Sequence, residues 1–230
     1  MSSEPSTSLN ELAGRIHSCR RCPRLVAWRE AAAADPPRRY EGERYWARPL
    51  SGFGDPAAHL LVVGLAPAAH GGNRTGRIFT GDRSGDFLFA ALHRAGYANQ
   101  PRSEHRADGL RLAGAWVGAV NRCPPPGNRP TPVERDNCLP YLVRELELLG
   151  GVRAIVTLGS YAWDGALRAL RELGHGVPRP KPRFAHGAEA EIGPYVLLGC
   201  FHPSQQNTFT GRLTEGMMEE VFTRARELSE

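Results

Sequence analysis

The segment Leu60-Leu-Val-Val-Gly64 is a continuous apolar run that ends at a glycine. Strands that are buried on both faces of a parallel sheet have this unbroken pattern, whereas half-exposed strands alternate apolar and polar residues. Further strands are predicted at 115–120, 152–158 and 195–200, with a hairpin arm or edge strand within 181–193. Helices are predicted at 12–17, 86–95, 132–149, 161–173 and 212–228. This alternation predicts an α/β protein with three α/β/α layers around a central, mostly parallel, four-stranded sheet.

Length and composition fit one domain. The chain has 230 residues, of which 41% are hydrophobic and 23% charged, close to ordinary globular usage. We expect a single domain over 11–230, preceded by a flexible, Ser-rich tail over 1–10. The longest apolar stretches are about half the length of a bilayer crossing, and no signal peptide pattern is present. The sequence therefore predicts a cytoplasmic monomer without a membrane partner.

The charge balance is basic. Twenty-nine Lys and Arg against 24 Asp and Glu give a net charge of +5, and because Lys181 is the single lysine, 28 of the 29 cations are arginine. Arginine binds phosphate in a bidentate manner, which suits a polyanionic partner. Net charge alone does not identify that partner, since many basic enzymes never bind nucleic acid.

The chain contains five cysteines, at 19, 22, 123, 138 and 200. An odd number in a cytoplasmic chain argues against a disulfide framework. Cys200 lies in a predicted apolar strand and is interpreted as a buried thiol. Among the other four, Cys19 and Cys22 form a compact C-x2-C pair, whereas Cys123 and Cys138 are widely spaced. This pattern is compatible with an iron–sulfur cluster, with zinc or with unrelated thiols.

Three polar segments follow predicted strands, and the carboxyl ends of parallel strands are where α/β sheets bind ligands. The first segment, 64–82, is rich in glycine but lacks the G-x-G-x-x-G and GK[ST] patterns of nucleotide sites. The second contains Asn128, whose amide is interpreted either as reading a base edge or as stabilising a turn. In the third, Pro203 favours an extended conformation for His202, which would present its imidazole to the cleft.

Several linked motifs together resemble the family-5 (type b) uracil-DNA glycosylases over nearly the whole chain. They are Cys19-Arg-Arg-Cys-Pro-Arg-Leu-Val-Ala-Trp-Arg29, Tyr45-Trp-Ala-Arg-Pro49, Gly52-Phe-Gly-Asp-Pro56, Gly64-Leu-Ala-Pro-Ala-Ala-His-Gly71, Asn73-Arg-Thr-Gly76 and His202-Pro-Ser-Gln-Gln-Asn207. Family 4 carries an acidic residue where this chain has Leu65, which favours family 5. The chain departs from the family pattern at Ala68, where glycine is common, and at Pro203.

The resemblance implies a base-excision DNA repair enzyme. It implies hydrolytic removal of flipped uracil, and of hypoxanthine and other deaminated or modified bases, from DNA. It implies that Asp82 is the catalytic carboxylate and that His202 hydrogen-bonds the leaving base. By the same resemblance Phe79 stacks on the base and Asn128 contacts its polar edge. The loop amides from Ala66 to His70 are expected to hold the negative charge that develops on the base oxygen, and His70 either donates to the substrate or only orders its loop. It further implies a structural [4Fe-4S] cluster on Cys19, Cys22, Cys123 and Cys138.

Simpler interpretations remain open from the sequence. Asp82 precedes a predicted helix and is also interpreted as a capping or turn carboxylate, although Ser84 is the expected cap of that helix. Phe79 is alternatively a core aromatic side chain. Two other functional classes are a DNA-binding module without catalytic activity and a zinc-stabilised hydrolase of small molecules.

Overall fold

Six strands form one mixed sheet within residues 5–229, the part of the chain that the computed structural model describes. Their bounds are Phe53–Gly54 (β1), Leu60–Gly64 (β2), Ala115–Ala119 (β3), Ala154–Leu158 (β4), Glu189–Ile192 (β5) and Tyr195–Cys200 (β6). Across the sheet the order is β1-β3-β2-β4-β6-β5. The four inner strands pair in parallel, and the two edge strands pair antiparallel to their neighbours.

The inner sheet confirms the predicted strands. The bounds of β2 and β6 agree with the prediction, and β3 and β4 are shorter by one and two residues. The expected four strands become six because β5 forms part of the predicted edge arm and β1 adds a second edge. The sequence missed β1 because two residues are too short to establish a period.

The helices are as follows: Pro5–His17 (α1), Pro23–Ala34 (α2), Gly72–Thr75 (α3), Arg83–Arg94 (α4), Pro132–Leu148 (α5), Ser160–Glu172 (α6), Gln205–Phe209 (α7) and Glu215–Glu227 (α8). The predicted helix at 12–17 begins seven residues earlier, at Pro5. Residues 5–10 are therefore helical, and Leu9 is buried; the flexibility of the segment stays a prediction. The tail's first four residues, 1–4, lie outside the described part.

Two apolar cores cover the two faces of the sheet. Because successive strand side chains point to opposite faces, Leu60 and Val62 of β2 pack into one core and Leu61 and Val63 into the other. Helices α4 and α8 cover the first face, and α5 and α6 cover the second. This arrangement gives the predicted three layers. No helix within residues 5–229 is long and apolar enough to span a bilayer.

Candidate active site

A cavity of about 530 Å³ lies at the carboxyl ends of β2 and β6. Five of the six residues predicted to contact or cleave the base line it, and His70 is the exception. The other lining residues are Leu65, Pro67, Ala68, Arg83, Ser84, Ser204, Gln205 and Gln206. Loops that follow two parallel strands, one on either side of β4, therefore meet at one edge of the sheet, as expected for this class of fold.

Asp82 is the N-cap of α4, and its Oδ1 accepts a hydrogen bond of 3.0 Å from the backbone N–H of Gly85. The expectation that Ser84 caps this helix is therefore wrong. The other carboxylate oxygen, Oδ2, faces Gly71, where an added Cβ would lie 2.0 Å from it. Burial raises the pKa of Asp82, while the N–H groups of Gly85 and Ser84 act in the opposite direction. Capping thus fixes the direction of a carboxylate that also lines the cavity.

His202 follows β6, and its environment favours the neutral imidazole. Burial lowers the pKa of His202 to about 4. The backbone carbonyl of His202 accepts a hydrogen bond of 2.9 Å from the side chain of Asn207, which fixes the loop after the strand. At neutral pH the imidazole is therefore uncharged and has one N–H to donate.

Phe79 forms a wall of the cavity close to His202, with ring centroids 6.0 Å apart. Its φ of 51° lies in the left-handed region, which is strained for a phenylalanine. The ring packs against the last residue of β2, since a Cβ on Gly64 would lie 2.6 Å from it. Phe79 belongs to the apolar core, as one interpretation from the sequence expected, and it also lines the cavity; its stacking on a base stays a prediction.

Buried polar contacts hold the segment on either side of Phe79. The guanidinium of Arg77 donates to both carboxylate oxygens of Asp108, at 2.9 and 2.6 Å, and to the hydroxyls of Thr80 and Ser103. Thr80 and Ser103 are themselves hydrogen-bonded at 2.6 Å. This network ties the strained segment to a loop more than 20 residues away, which sequence patterns gave no means of detecting.

Asn128 stands at the exposed rim of the cavity with a φ of 56°. Its backbone N–H donates to the carbonyl of Pro125 at 3.1 Å, so it is a turn residue. Within residues 5–229 its side-chain amide has no hydrogen-bond partner. The amide therefore remains available to a ligand in the cavity.

His70 lies away from the cavity lining. Its Nδ1 and the hydroxyl of Tyr45 are hydrogen-bonded at 3.0 Å, and its ring stacks on Tyr40 at 6.3 Å. Burial and the charges of Arg39 and Arg74 lower its pKa. His70 thus joins its loop to the irregular segment around 38–46, while its neighbour Ala66 does line the cavity.

The sequence analysis missed Arg83 and the residues 204–206 as lining residues. Arg83 follows Asp82 directly, and residues 204–206 lie two to four positions after His202, so proximity in sequence was the available signal. Ser204 caps the short helix α7 by accepting from the N–H of Asn207. At the end of α7, Phe209 is 66% exposed and lies under the guanidinium of Arg83 at 5.2 Å. An exposed aromatic ring therefore stands beside the cavity mouth.

Four of the five cysteines lie close enough to influence one another's pKa. Burial raises the pKa of Cys123 and of Cys138. Negative charge on Cys138 and Cys19 raises that of Cys123 further, and negative charge on Cys22 and Cys19 raises that of Cys138. Three are buried and Cys19 is partly exposed. Cys200 is buried in β6, where its thiol contacts the carbonyl of Phe201, as expected for a small core residue. Residues 5–229 contain no group of three or more side chains placed to hold a single metal ion.

Buried Arg29 is one of the cations at this cysteine group, together with Arg21 near Cys19 and Arg122 near Cys138. Arg29 is 2% exposed, and one of its guanidinium nitrogens donates to Sγ of Cys123 at 3.1 Å. Its other guanidinium contacts are to the carbonyl of Cys19, and its Nε has no partner among the described residues. A buried cation without a carboxylate requires a compensating negative charge. Deprotonated cysteines would supply it, which is the form that binds metal.

Comparison with known proteins gives consistent matches. The model of the Uracil DNA glycosylase superfamily matches residues 51–226. The type-5 uracil-DNA glycosylase of Mycobacterium bovis is 54% identical over 96% of this chain and 82% of its own length. The type-5 enzyme of Thermus thermophilus is 48% identical over 93% of this chain and 95% of its own. A type-4 uracil-DNA glycosylase of Pyrobaculum aerophilum is 31% identical over 56% of this chain.

Proposed function

Because the chain belongs to the uracil-DNA glycosylase superfamily, we propose that it is a DNA repair glycosylase that removes uracil from DNA and leaves an abasic site. One observation carries the proposal: a carboxylate, a neutral imidazole and an aromatic ring, those of Asp82, His202 and Phe79, line one cavity. Relatives that carry the type-5 uracil-DNA glycosylase name are 43 to 54% identical to this chain over more than nine-tenths of its length.

A base within a duplex cannot reach this cavity, so the substrate nucleotide must leave the helical stack, as glycosylases are known to require. The cavity volume of about 530 Å³ is within the range of small-molecule sites. Phe79 would offset part of the unstacking cost by stacking on the base. Phe209 and Arg83 at the mouth, with the net positive charge, favour contact with the DNA strand.

Cleavage of the N-glycosidic bond leaves positive charge on the sugar and negative charge on the departing base. We assign Asp82 to the sugar side, where the carboxylate would orient water and favour the oxocarbenium-like state. We assign His202 to the base side, where its neutral N–H would donate to the base oxygen as that oxygen gains charge. Asn128 would bind the polar edge of the base, and Ala66 would contribute backbone contacts.

The experiment is excision from a labelled duplex that contains one deoxyuridine, followed by alkali to cleave the abasic site. Cleavage at the uracil by the purified protein, and its absence in the Asp82→Asn and His202→Ala variants, would support both the function and the two roles. DNA binding without cleavage would instead favour the DNA-binding module.

We extend the proposal to hypoxanthine and other deaminated or modified bases, because stacking on Phe79 does not depend on base identity. Duplexes that contain each base would be compared with the uracil duplex. Phe79→Ala is expected to slow excision of all substrates by a similar factor. A loss confined to uracil would contradict the stacking role.

We also propose that Cys19, Cys22, Cys123 and Cys138 hold a [4Fe-4S] cluster. Four thiolates are the usual ligands of such a cluster, and buried, carboxylate-free Arg29 fits an anionic group there. Asn137 also donates to Sγ of Cys22, at 3.4 Å. When bound, the cluster would supply a structural cross-link between the segment before α2 and α5. Purified protein is expected to contain about four iron atoms per chain. Cys138→Ser should lose them and Cys200→Ala should keep them, whereas stoichiometric zinc would contradict the proposal.

A further inference from the structure

A groove of about 960 Å³ runs along the outer helices of the second sheet face and shares no lining residue with the cavity at the strand ends. Seven of its lining residues lie on α5, and all but Tyr141 recur at intervals of three and four, namely Asp136, Leu139, Pro140, Val143, Arg144 and Glu147. Such spacing places them on one helix face. At 1.5 Å per residue the groove follows this face for about 16 Å, with α1 and α6 forming its sides.

The groove carries an excess of positive charge. Five arginines and three carboxylates line it. Two of the carboxylates, Asp136 and Glu147, already form ion pairs with Arg135 and Arg144. Among the described residues no carboxylate pairs with the other four arginines, which are Arg15, Arg21, Arg168 and Arg171. All four are exposed, and they come from three separate segments of the chain.

The floor between these arginines is apolar. Leu12 and Leu139 form its buried base, Tyr141 and Val143 are partly exposed in it, and Pro140 is exposed. Proline lacks a backbone N–H, so the carbonyl of Asp136 loses its helical donor from position 140. The groove therefore offers an apolar strip and a backbone acceptor, with guanidinium groups on its sides.

We propose that this groove docks an acidic amphipathic segment of a partner protein, about three helical turns long. Carboxylates of such a segment would meet Arg15, Arg168 and Arg171, since the guanidinium of Arg21 already lies over the Tyr141 ring at 4.8 Å. Its apolar side chains would cover the floor, as in other helix-in-groove complexes. A DNA backbone fits less well, because it presents no apolar side to the floor and meets the groove's own carboxylates. Three of the four acidic residues of α8 are already engaged, since Glu215, Glu219 and Glu227 pair with Arg94 or Arg224.

The test uses a fluorescein-labelled helical peptide of about 14 residues, made of glutamate and leucine with leucines three and four apart. Fluorescence anisotropy with the full-length protein is expected to give saturable, micromolar binding that weakens as salt rises. The double variant R168E/R171E should weaken binding at least tenfold. A control variant of equal charge change, R111E/R183E, alters exposed arginines outside the groove. Its affinity for the peptide should stay within about twofold of that of the wild type.

Two further peptides separate the contribution of charge from that of apolar contact. One has lysine in place of glutamate, and the other has serine in place of leucine. Both are expected to bind at least tenfold more weakly. Excision of uracil should be unchanged in R168E/R171E, so the result does not depend on the proposed function. No binding at about 1 mM peptide, or equal loss in both double variants, would overturn the proposal. Weaker duplex binding by R168E/R171E would assign the groove to DNA, and a concentration-dependent dimer lost in that variant would assign it to a second copy.

Discussion

Asp82 has two structural roles: its Oδ1 caps α4, and its side chain lines the cavity. We expect Asp82→Asn to retain a cap, because asparagine is a good N-cap residue, while losing the negative charge. Excision in single-turnover assays should fall by about 10²–10³-fold, the size typical of removing one electrostatic contact from a transition state. His202→Ala should lower it by a similar factor.

The matched control for Asp82→Asn is Asp86→Asn, which removes a carboxylate from the exposed side of the same helix. Duplex binding, measured by gel shift, should be nearly equal in all four proteins. Full excision by either site variant would remove that residue from the chemical step.

Gly71 makes room for the carboxylate of Asp82. A Cβ at Gly71 would lie 2.0 Å from Oδ2, whereas at neighbouring Gly72 the nearest atoms would be 3.2 Å away. Gly71→Ala is therefore expected to turn the carboxylate and lower kcat at least tenfold, with little change in KM. Gly72→Ala, one residue along, should lower it less. Equal effects in the two variants would mean that general loop disruption is responsible.

The pH dependence of stability gives an independent test of His202. Its pKa is lowered from 6.5 to about 4 in the folded protein, so the unfolded chain binds the proton more readily between these values. The free energy of unfolding should therefore fall as pH drops from about 6.5 to 4. Urea unfolding across this range should show a smaller fall in His202→Asn. The same slope in both proteins would show that the imidazole titrates normally.

At the scale of elements, the buried pair of Arg77 and Asp108 anchors the segment that carries Phe79 to the loop before β3. Arg77 holds the pKa of Asp108 well below its usual range. Asp108→Asn leaves a buried cation without its partner, which typically costs about 3–5 kcal/mol. Urea unfolding should show this loss. Asp164→Asn, which breaks the exposed pair with Lys181 at 2.6 Å, should cost about 1 kcal/mol or less.

The same elements show what the sequence could and could not predict. The inner strands were predictable because burial on both faces leaves unbroken apolar runs, as in β2 and β6. Helix α2 was missed because its buried face includes Arg29, so polarity obscured the period, although Pro23 marks its first turn. The position of His70 also escaped prediction, because its partners Tyr40 and Tyr45 lie 30 and 25 residues away.

At the scale of the whole molecule, the topology explains why distant motifs share one cavity. The parallel strands β2 and β6 flank β4, so the loops that follow them leave the sheet at the same edge. The first loop brings Asp82 and Phe79, and the second brings His202. The position of the motifs after parallel strands thus predicted which loops meet, whereas the individual lining residues and their distances depend on packing that no local pattern encodes.

The scarcity of lysine leads to a prediction about the product. Cleavage of the DNA strand at an abasic site through a Schiff base requires an amine, and Lys181 is the single lysine of the chain. It is exposed, pairs with Asp164 and does not line the cavity. We therefore expect an intact abasic site that breaks only on alkali treatment, and no covalent adduct when sodium borohydride is added during excision. Lys181→Arg should excise uracil at the wild-type rate. A borohydride-trapped complex, whether or not Lys181→Arg abolished it, would show that an amine of this chain attacks the sugar and would contradict the assignment of direct hydrolysis to Asp82.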